Sequence, residues 1–152
     1  MKKQKLILDQ VDKRIQKIIL LDSLVIPQEG WIYSIRNALG MSLRQLGKRL
    51  NITAQSAKEI EEREKNGTVS LAVLRQVGTA LDMKLVYGFI PQAGSLEKMI
   101  ENRALEIAEN IIGRTSTSMM LEDQGNTEAR LRKAIHEKTA ELKQEMPRYL
   151  WD

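Results

Sequence analysis

Apolar residues recur at helical spacing along most of the chain. Between Leu6 and Leu24 they fall at Leu8, Val11, Ile15 and Ile18, steps of three and four that line one face of a helix. Pro27 and Gly30 interrupt the chain. Trp31, Ile32, Ile35 and Leu39 then form the apolar side of a short helix that ends at Gly40, a natural C-cap. Ser42 is placed to cap the next helix, with Gln45 three residues on to complete a capping box. Leu46 and Leu50 supply its apolar face. Asn51 tolerates the left-handed conformation that ends a helix, Ile52 plugs the corner, and Thr53 caps the following helix. In that helix Ala57 and Ile60 point inward, and Asn66-Gly67 ends it. Ser70 caps a further helix bearing Leu71, Leu74, Val77 and Leu81.

After Met83 the period changes. Lys84 to Ile90 is rich in β-branched and aromatic residues and stops at Pro91, which predicts one isolated strand. A lone strand needs a mate, and the chain offers no second clear one. The economical expectation is the same strand in another copy, a two-stranded ribbon with Leu85, Val86, Tyr87 and Phe89 as dimerisation residues. Pairing within the chain or with another protein stays open. Ser95 caps the next helix, whose apolar face runs through Leu96, Ile100, Leu105, Ile107, Ala108 and Ile111 to about Ile112. Gly113 to Ser118 reads as a polar break. Another helix starts near Met119 or Thr127 and runs through Leu131, Ile135 and Leu142 to Met146, where Pro147 stops it. Tyr149, Leu150 and Trp151 form an apolar terminus which, like Trp31, anchors either this chain or a partner. The expectation is thus a mostly α protein. An N-terminal helix (1–26) precedes a helix-turn-helix bundle (27–83), a strand (84–91) and a C-terminal helical region that binds a partner (95–152).

The paired helices at 42–65 carry the candidate chemistry. The second opens with Ala54, Gln55, Ser56 and Lys58, side chains small or polar enough to lie in a DNA major groove. Gln55 is the first candidate for base readout, because its amide matches adenine N6 and N7. Ser56 and Lys58 come second, with Thr53 and Glu59 beside them. Arg44, Lys48 and Arg49 suit phosphates, which set affinity and salt dependence rather than sequence. For these cations a solvated helix face is the competing reading. Glu59, Glu61, Glu62 and Glu64 would repel phosphate, so they are expected to point away from DNA or to pair with Lys58, Arg63 and Lys65 along the helix. The terminal run Lys2, Lys3 and Lys5 is either an arm on DNA or a frayed end.

Charge placement agrees with a polyanion partner. Residues 1–30 carry six Lys/Arg against four Asp/Glu, residues 31–83 eight against five, and residues 84–152 ten against eleven. The 152-residue chain has no Cys, which removes disulfides and thiolate metal sites and fits a reducing cytoplasm. No apolar run reaches the length of a membrane span. His136 is the single His and lies in a charged helical run. There is neither a P-loop nor a dinucleotide fingerprint, and Glu61-Glu62 and Glu122-Asp123 lack metal-ligand company, so no enzyme, cofactor or metal is expected.

Residues 31–83 resemble the Cro/C1/Xre-type helix-turn-helix domain, with Leu46, Ile52, Ala57 and Ile60 at its core positions. The resemblance implies that the helix starting at Ala54 enters the major groove, with Ala54, Gln55, Ser56, Lys58 and Glu59 on its leading turns. Two positions depart from the pattern. Leu43 stands where a phosphate-clamping Gln is common, leaving that role to Arg44 or Lys48. Gly47 stands where Ala is usual, at up to about 1 kcal/mol in helix propensity. Over nearly the whole chain, GWIYSIRNALGMS (30–42), EEREKNGTVSL (61–71), LVYGFIP (85–91), SMMLEDQ (118–124) and PRYLWD (147–152) look like mobile mystery protein A, a bacterial family encoded beside a Fic-domain partner. That resemblance implies an antitoxin-like DNA-binding regulator, expected to repress its own gene, paired with the Fic protein. A homodimer on a palindromic site is expected separately, because one domain reading a few base pairs gains little discrimination. Ser118 and Glu122 are similar to the Ser/Thr-x-x-x-Glu helix of Fic inhibitors, although Asp123 replaces the Gly or Asn that follows. The alternative is an inhibitor of a Fic AMP-transferase with the helix-turn-helix mainly as scaffold.

Overall fold

The computed structural model describes residues 2–121 and 127–152, with the backbone alone over 116–121. The described chain is mostly helical. Helix α1 (Lys2–Ile18) runs into a 3-10 turn (Ile19–Ser23). Then come α2 (Trp31–Ala38), α3 (Leu43–Leu50), α4 (Ala54–Asn66), α5 (Leu71–Ala80), α6 (Leu96–Leu121), α7 (Glu128–Glu145) and a closing 3-10 turn (Arg148–Trp151). No described helix is long and apolar enough to cross a membrane. The chain divides into two compact units, Ser23–Tyr87 and the combination of Met1–Asp22 with Gly88–Asp152.

In the unit Ser23–Tyr87, Ile32, Leu46, Ala57, Val77 and Leu81 are buried together, one from each helix with Leu81 at the C-cap of α5. Ile35, Leu43, Leu50, Ile52, Ile60 and Leu74 pack around them. Leu46 and Ala57 are wholly buried and Ile52 and Ile60 half-buried, so the four expected core positions meet in one cluster. The helix ends follow the capping residues. Asn51 (φ 58°) and Gly67 (φ 75°) close α3 and α4 in the left-handed conformation, and Ser70 accepts from Val73 N.

A buried ion pair locks α2 to α4. Arg36 donates from Nε and Nη2 to the two carboxylate oxygens of Glu61, at 2.6 and 3.0 Å, and from Nη1 to the Met41 carbonyl at 2.9 Å. Both residues are nearly out of solvent, at 8% and 6% exposure. Hydrogen bonding to Glu61 holds the Arg36 guanidinium above its ordinary pKa against the opposing effect of burial. Three residues further along α4, Glu64 accepts from the backbone N–H groups of Trp31 and Ile32 at 3.0 and 2.8 Å. That carboxylate caps α2, whose own N-cap position is Gly30 without a side chain to do so. Of the two expectations for Glu61 and Glu64, pairing along their own helix is the one the structure corrects. Both reach across to α2, because α2 presents a buried cation and two orphan donors there. Lys65 pairs instead with Glu29, at 3.2 Å.

In the other unit, α6 and α7 form an antiparallel hairpin, with α1 and the closing 3-10 turn against α6. Its buried residues are Ile100, Ala104, Ala108, Leu142 and Leu150, with Leu8, Ile107, Ile135 and Met146 packed on them. The small side chains of Ala104 and Ala108 allow the close approach of Leu142. Asp12 of α1 accepts from Leu96 N (2.7 Å) and Glu97 N (3.0 Å), so a residue remote in sequence caps α6 together with Ser95. Gly88 lies so close to α1 that a Cβ there would stand 2.5 Å from Ile18 Cδ1. Arg103 donates to the carbonyls of Leu150 and Asp152 and fixes the terminus. Leu150 is the apolar residue buried there, while Tyr149 and Trp151 stay exposed. Lys98, and then Lys143, hold the Glu101 carboxyl below its ordinary pKa.

The expected polar break at 113–118 is a second correction, since α6 continues without interruption to Leu121. Exposed Arg114 and Thr115 need not end it, and Thr115 satisfies its hydroxyl on the Ile111 carbonyl at 3.1 Å. Helix α7 begins at the Thr127 cap and ends at Met146, one residue before Pro147. Lys2, Lys3 and Lys5 belong to the first turns of α1.

Candidate nucleic-acid interface

The α3–α4 pair is built by short-range chemistry. Ser42 N donates to Gln45 Oε1 at 2.8 Å and Gln45 N to Ser42 Oγ at 3.1 Å, the reciprocal bonds of a capping box. At the other end of α3, Asn51 turns the chain, and Ile52 N returns to the Gly47 carbonyl at 2.8 Å. Thr53 then leaves in extended conformation (ψ 160°) and its Oγ1 accepts from Ser56 N at 3.0 Å, opening α4. The corner passes directly over Gly47. A Cβ on that residue would meet the Ile52 carbonyl oxygen at 2.7 Å and that of Thr53 at 3.0 Å. The glycine thus offsets its poor helix propensity by letting the turn close against α3.

The leading turns of α4 present Ala54, Gln55, Lys58 and Glu59 to solvent. Gln55 and Lys58 are three apart and share one face with Glu59. None of these side chains has a hydrogen bond or ion pair among the described residues, so the Gln55 amide is open to an incoming donor–acceptor pair. Ser56 differs from the others. It is half-buried, and its Oγ accepts from the Thr53 hydroxyl at 3.0 Å, which draws it towards the cap and away from the exposed face. On α3, Arg44 and Lys48 are exposed, four residues apart and unpartnered. Arg49 is also exposed, but its Nη1 donates to the Ala80 carbonyl at 3.2 Å and completes the C-terminus of α5. One of the three expected phosphate cations is therefore tied to the scaffold. Leu43 packs against the core, which is why no polar side chain follows the Ser42 cap.

Ser118 and Glu122 are the residues expected to bind a partner protein. Glu122 and the side chain of Ser118 lie outside the described residues. No group of three or more His, Asp or Glu that could hold a metal ion occurs among the described residues.

Reading the sequence alone misses Arg36, Glu61 and Glu64, which fix the helix behind α4, and the second duty of Arg49. A signal for the first of these exists. Arg36 stands four residues after Ile32 on the inward face of α2, and a cation there demands a buried carboxylate. The arrangement defines a helical protein that exposes one polar helix N-terminus beside unpaired cations. Comparison with family models, curated proteins and solved structures finds no match to this chain.

Proposed function

We propose that the chain is a sequence-specific double-stranded DNA-binding regulator of transcription, with the fold of a Cro/C1-type helix-turn-helix domain in residues 27–83. The observation that carries this reading is the open Gln55 amide on the first turn of α4, with unpaired Lys58 three residues on and unpaired Arg44 and Lys48 on the preceding helix α3. Gln55 reads a base edge, with adenine the geometric match for its amide. Lys58 and Thr53 flank it, Ala54 offers a methyl surface to thymine, and Glu59 disfavours phosphate and keeps the helix tip on the bases. Arg44 and Lys48 take the backbone phosphates, and Arg49 adds charge from its place beside α5. The Arg36–Glu61 pair and the Glu64 cap hold α2 against the back of α4, so the reading face arrives pre-set. The resemblance to mobile mystery protein A extends the proposal to an antitoxin-like autorepressor in the cytoplasm that also binds a Fic-domain protein.

The test is salt-titrated fluorescence anisotropy on duplex DNA from upstream of the chain's own gene, with random duplex as competitor. Tight binding that resists the competitor, falls steeply with salt and loses its discrimination in Gln55→Ala supports the reading. Binding that random duplex displaces equally, or none at all, overturns it.

A further inference from the structure

Residues 83–91 form neither helix nor strand, so the strand expected at 84–91 is absent from the single chain. Residues 83–87 lie against α5 instead. Met83 N donates to the Gly78 carbonyl at 2.7 Å, and a Cβ on Gly78 would stand 3.0 Å from the Met83 carbonyl oxygen. The missing side chain thus lets this strap approach the helix. At the other end of the strap, Arg75 of α5 donates from Nη2 to the Tyr87 hydroxyl at 3.3 Å and lies 5.7 Å from the centre of the Tyr87 ring. Pinned at both ends, the strap forms one wall of a pocket of about 400 Å³. A second wall comes from Trp31, Ile32 and Ile35 of α2, and a third from Leu71, Leu74 and Val77 of α5. All of these residues belong to Ser23–Tyr87. None of Arg44, Lys48, Gln55 and Lys58 lines the pocket, so it is separate from the candidate nucleic-acid interface.

The polar groups of the pocket select its occupant. Glu64 and Lys84 are the charged residues that line it. Both oxygens of Glu64 already accept, from Trp31 N and Ile32 N. The Lys84 ammonium has no partner, and neither the Trp31 indole N–H nor the Tyr87 hydroxyl proton is engaged. The polar side-chain groups left open are therefore all donors, one of them charged, in a lining that is otherwise apolar. We propose that this pocket binds a small apolar carboxylate, with its hydrocarbon part against Leu71, Leu74 and Val86 and its carboxylate on Lys84. An apolar amine finds no counter-charge here, because Glu64 is committed to the first turn of α2. A neutral hydrocarbon leaves Lys84 without a counter-ion and gains no charge-assisted bond. Size points to a free small molecule, since pockets for such ligands run from roughly 300 to 1,000 Å³ and are lined mainly by apolar and aromatic side chains.

Trp31 borders the pocket and reports its filling in a Trp151→Phe variant of the full chain. Octanoate should shift the Trp31 emission saturably. It should bind about tenfold tighter than octanol or octylammonium, the worth of one charge-assisted bond. Lys84→Gln should bring octanoate down to the level of octanol, and Lys84→Glu should turn the preference to octylammonium. Lys84 is exposed, so both variants should keep the helical circular dichroism. From butanoate to octanoate, each added methylene should tighten binding by about fourfold at most. Val86→Asp, on the strap, should weaken both octanoate and octanol. No saturable change with millimolar octanoate, equal binding of octanol and octanoate, or an unaltered preference in Lys84→Gln would overturn the proposal. So would an equal shift of Trp151 in a Trp31→Phe variant, which marks non-specific uptake. A wild-type dimer that Val86→Asp splits would put a second copy in the pocket and overturn it as well.

Discussion

In Ser23–Tyr87 the contacts that close the fold join residues near one another in sequence. Arg36 meets Glu61 across 25 positions, and the α3–α4 corner closes within a dozen residues. In the unit of Met1–Asp22 with Gly88–Asp152, closure is remote, with Asp12 capping α6 across 84 positions. Arg103 reaches 47 and 49 positions to the last carbonyls. The first unit is a contiguous bundle whose loop-closure cost is small, and the second must bring both ends of the chain together before its hairpin is sealed. The candidate site on α4 therefore sits in the part of the chain that can be set by local chemistry.

Each unit holds one tryptophan, Trp31 in the first and Trp151 in the second, so single-tryptophan variants follow them separately. The largest effect should come from Glu61→Leu, which strands the buried Arg36 charge. A loss of about 3–5 kcal/mol is expected in urea unfolding followed through Trp31. Arg36→Met/Glu61→Leu, which removes both charges, should recover most of it. An effect confined to the Trp151 signal would break the comparison. Next comes Gly47→Ala. Alanine is the better helix former, yet its Cβ would push two backbone carbonyls, so a net loss of about 1–3 kcal/mol is expected, again through Trp31. A gain in stability would show that the corner has slack.

The same contrast explains how far the sequence could be read. The Ser42–Gln45 box, the Asn51 turn, the Thr53 and Ser70 caps and the Gly67 stop are each a local side-chain decision, and each stands where its residue type places it. The Arg36–Glu61 pair, the Glu64 cap and the Arg49–Ala80 contact were not legible, because they depend on which faces of separate helices meet. The continuity of α6 through Gly113 was hidden for a different reason. A polar stretch of helix and a loop have the same composition, and only the packing of α6 on α7 distinguishes them. At the candidate site, the exposure of Gln55 and Lys58 follows from spacing alone, but the turning of Ser56 into the cap needs the Thr53 hydroxyl in place.

Gln55→Ala separates function from fold within the first unit. Discrimination for the base it reads should fall by about 1–3 kcal/mol, while both tryptophan transitions stay put. Lys48→Ala should instead lower affinity for all sequences alike and reduce the salt slope by about 0.9. If Lys48→Ala altered sequence preference, the division between base and phosphate contacts would be wrong.

The smallest effect tests the remote closure itself. Asp12→Ala removes both acceptors from the N-terminus of α6, while Ser95 still accepts from Lys98 N and water can reach Glu97 N, which is exposed. Leu96 N is partly buried and is the donor left unpaired. The loss should be about 1 kcal/mol, the usual value of a cap, and it should be visible through Trp151 and not through Trp31. Hydrogen exchange should quicken in the first turn of α6 and leave α3 and α4 unchanged. If Trp31 reported the same loss as Trp151, the two units would unfold as one cooperative body, and the local closure argued for the candidate site would belong to the whole chain.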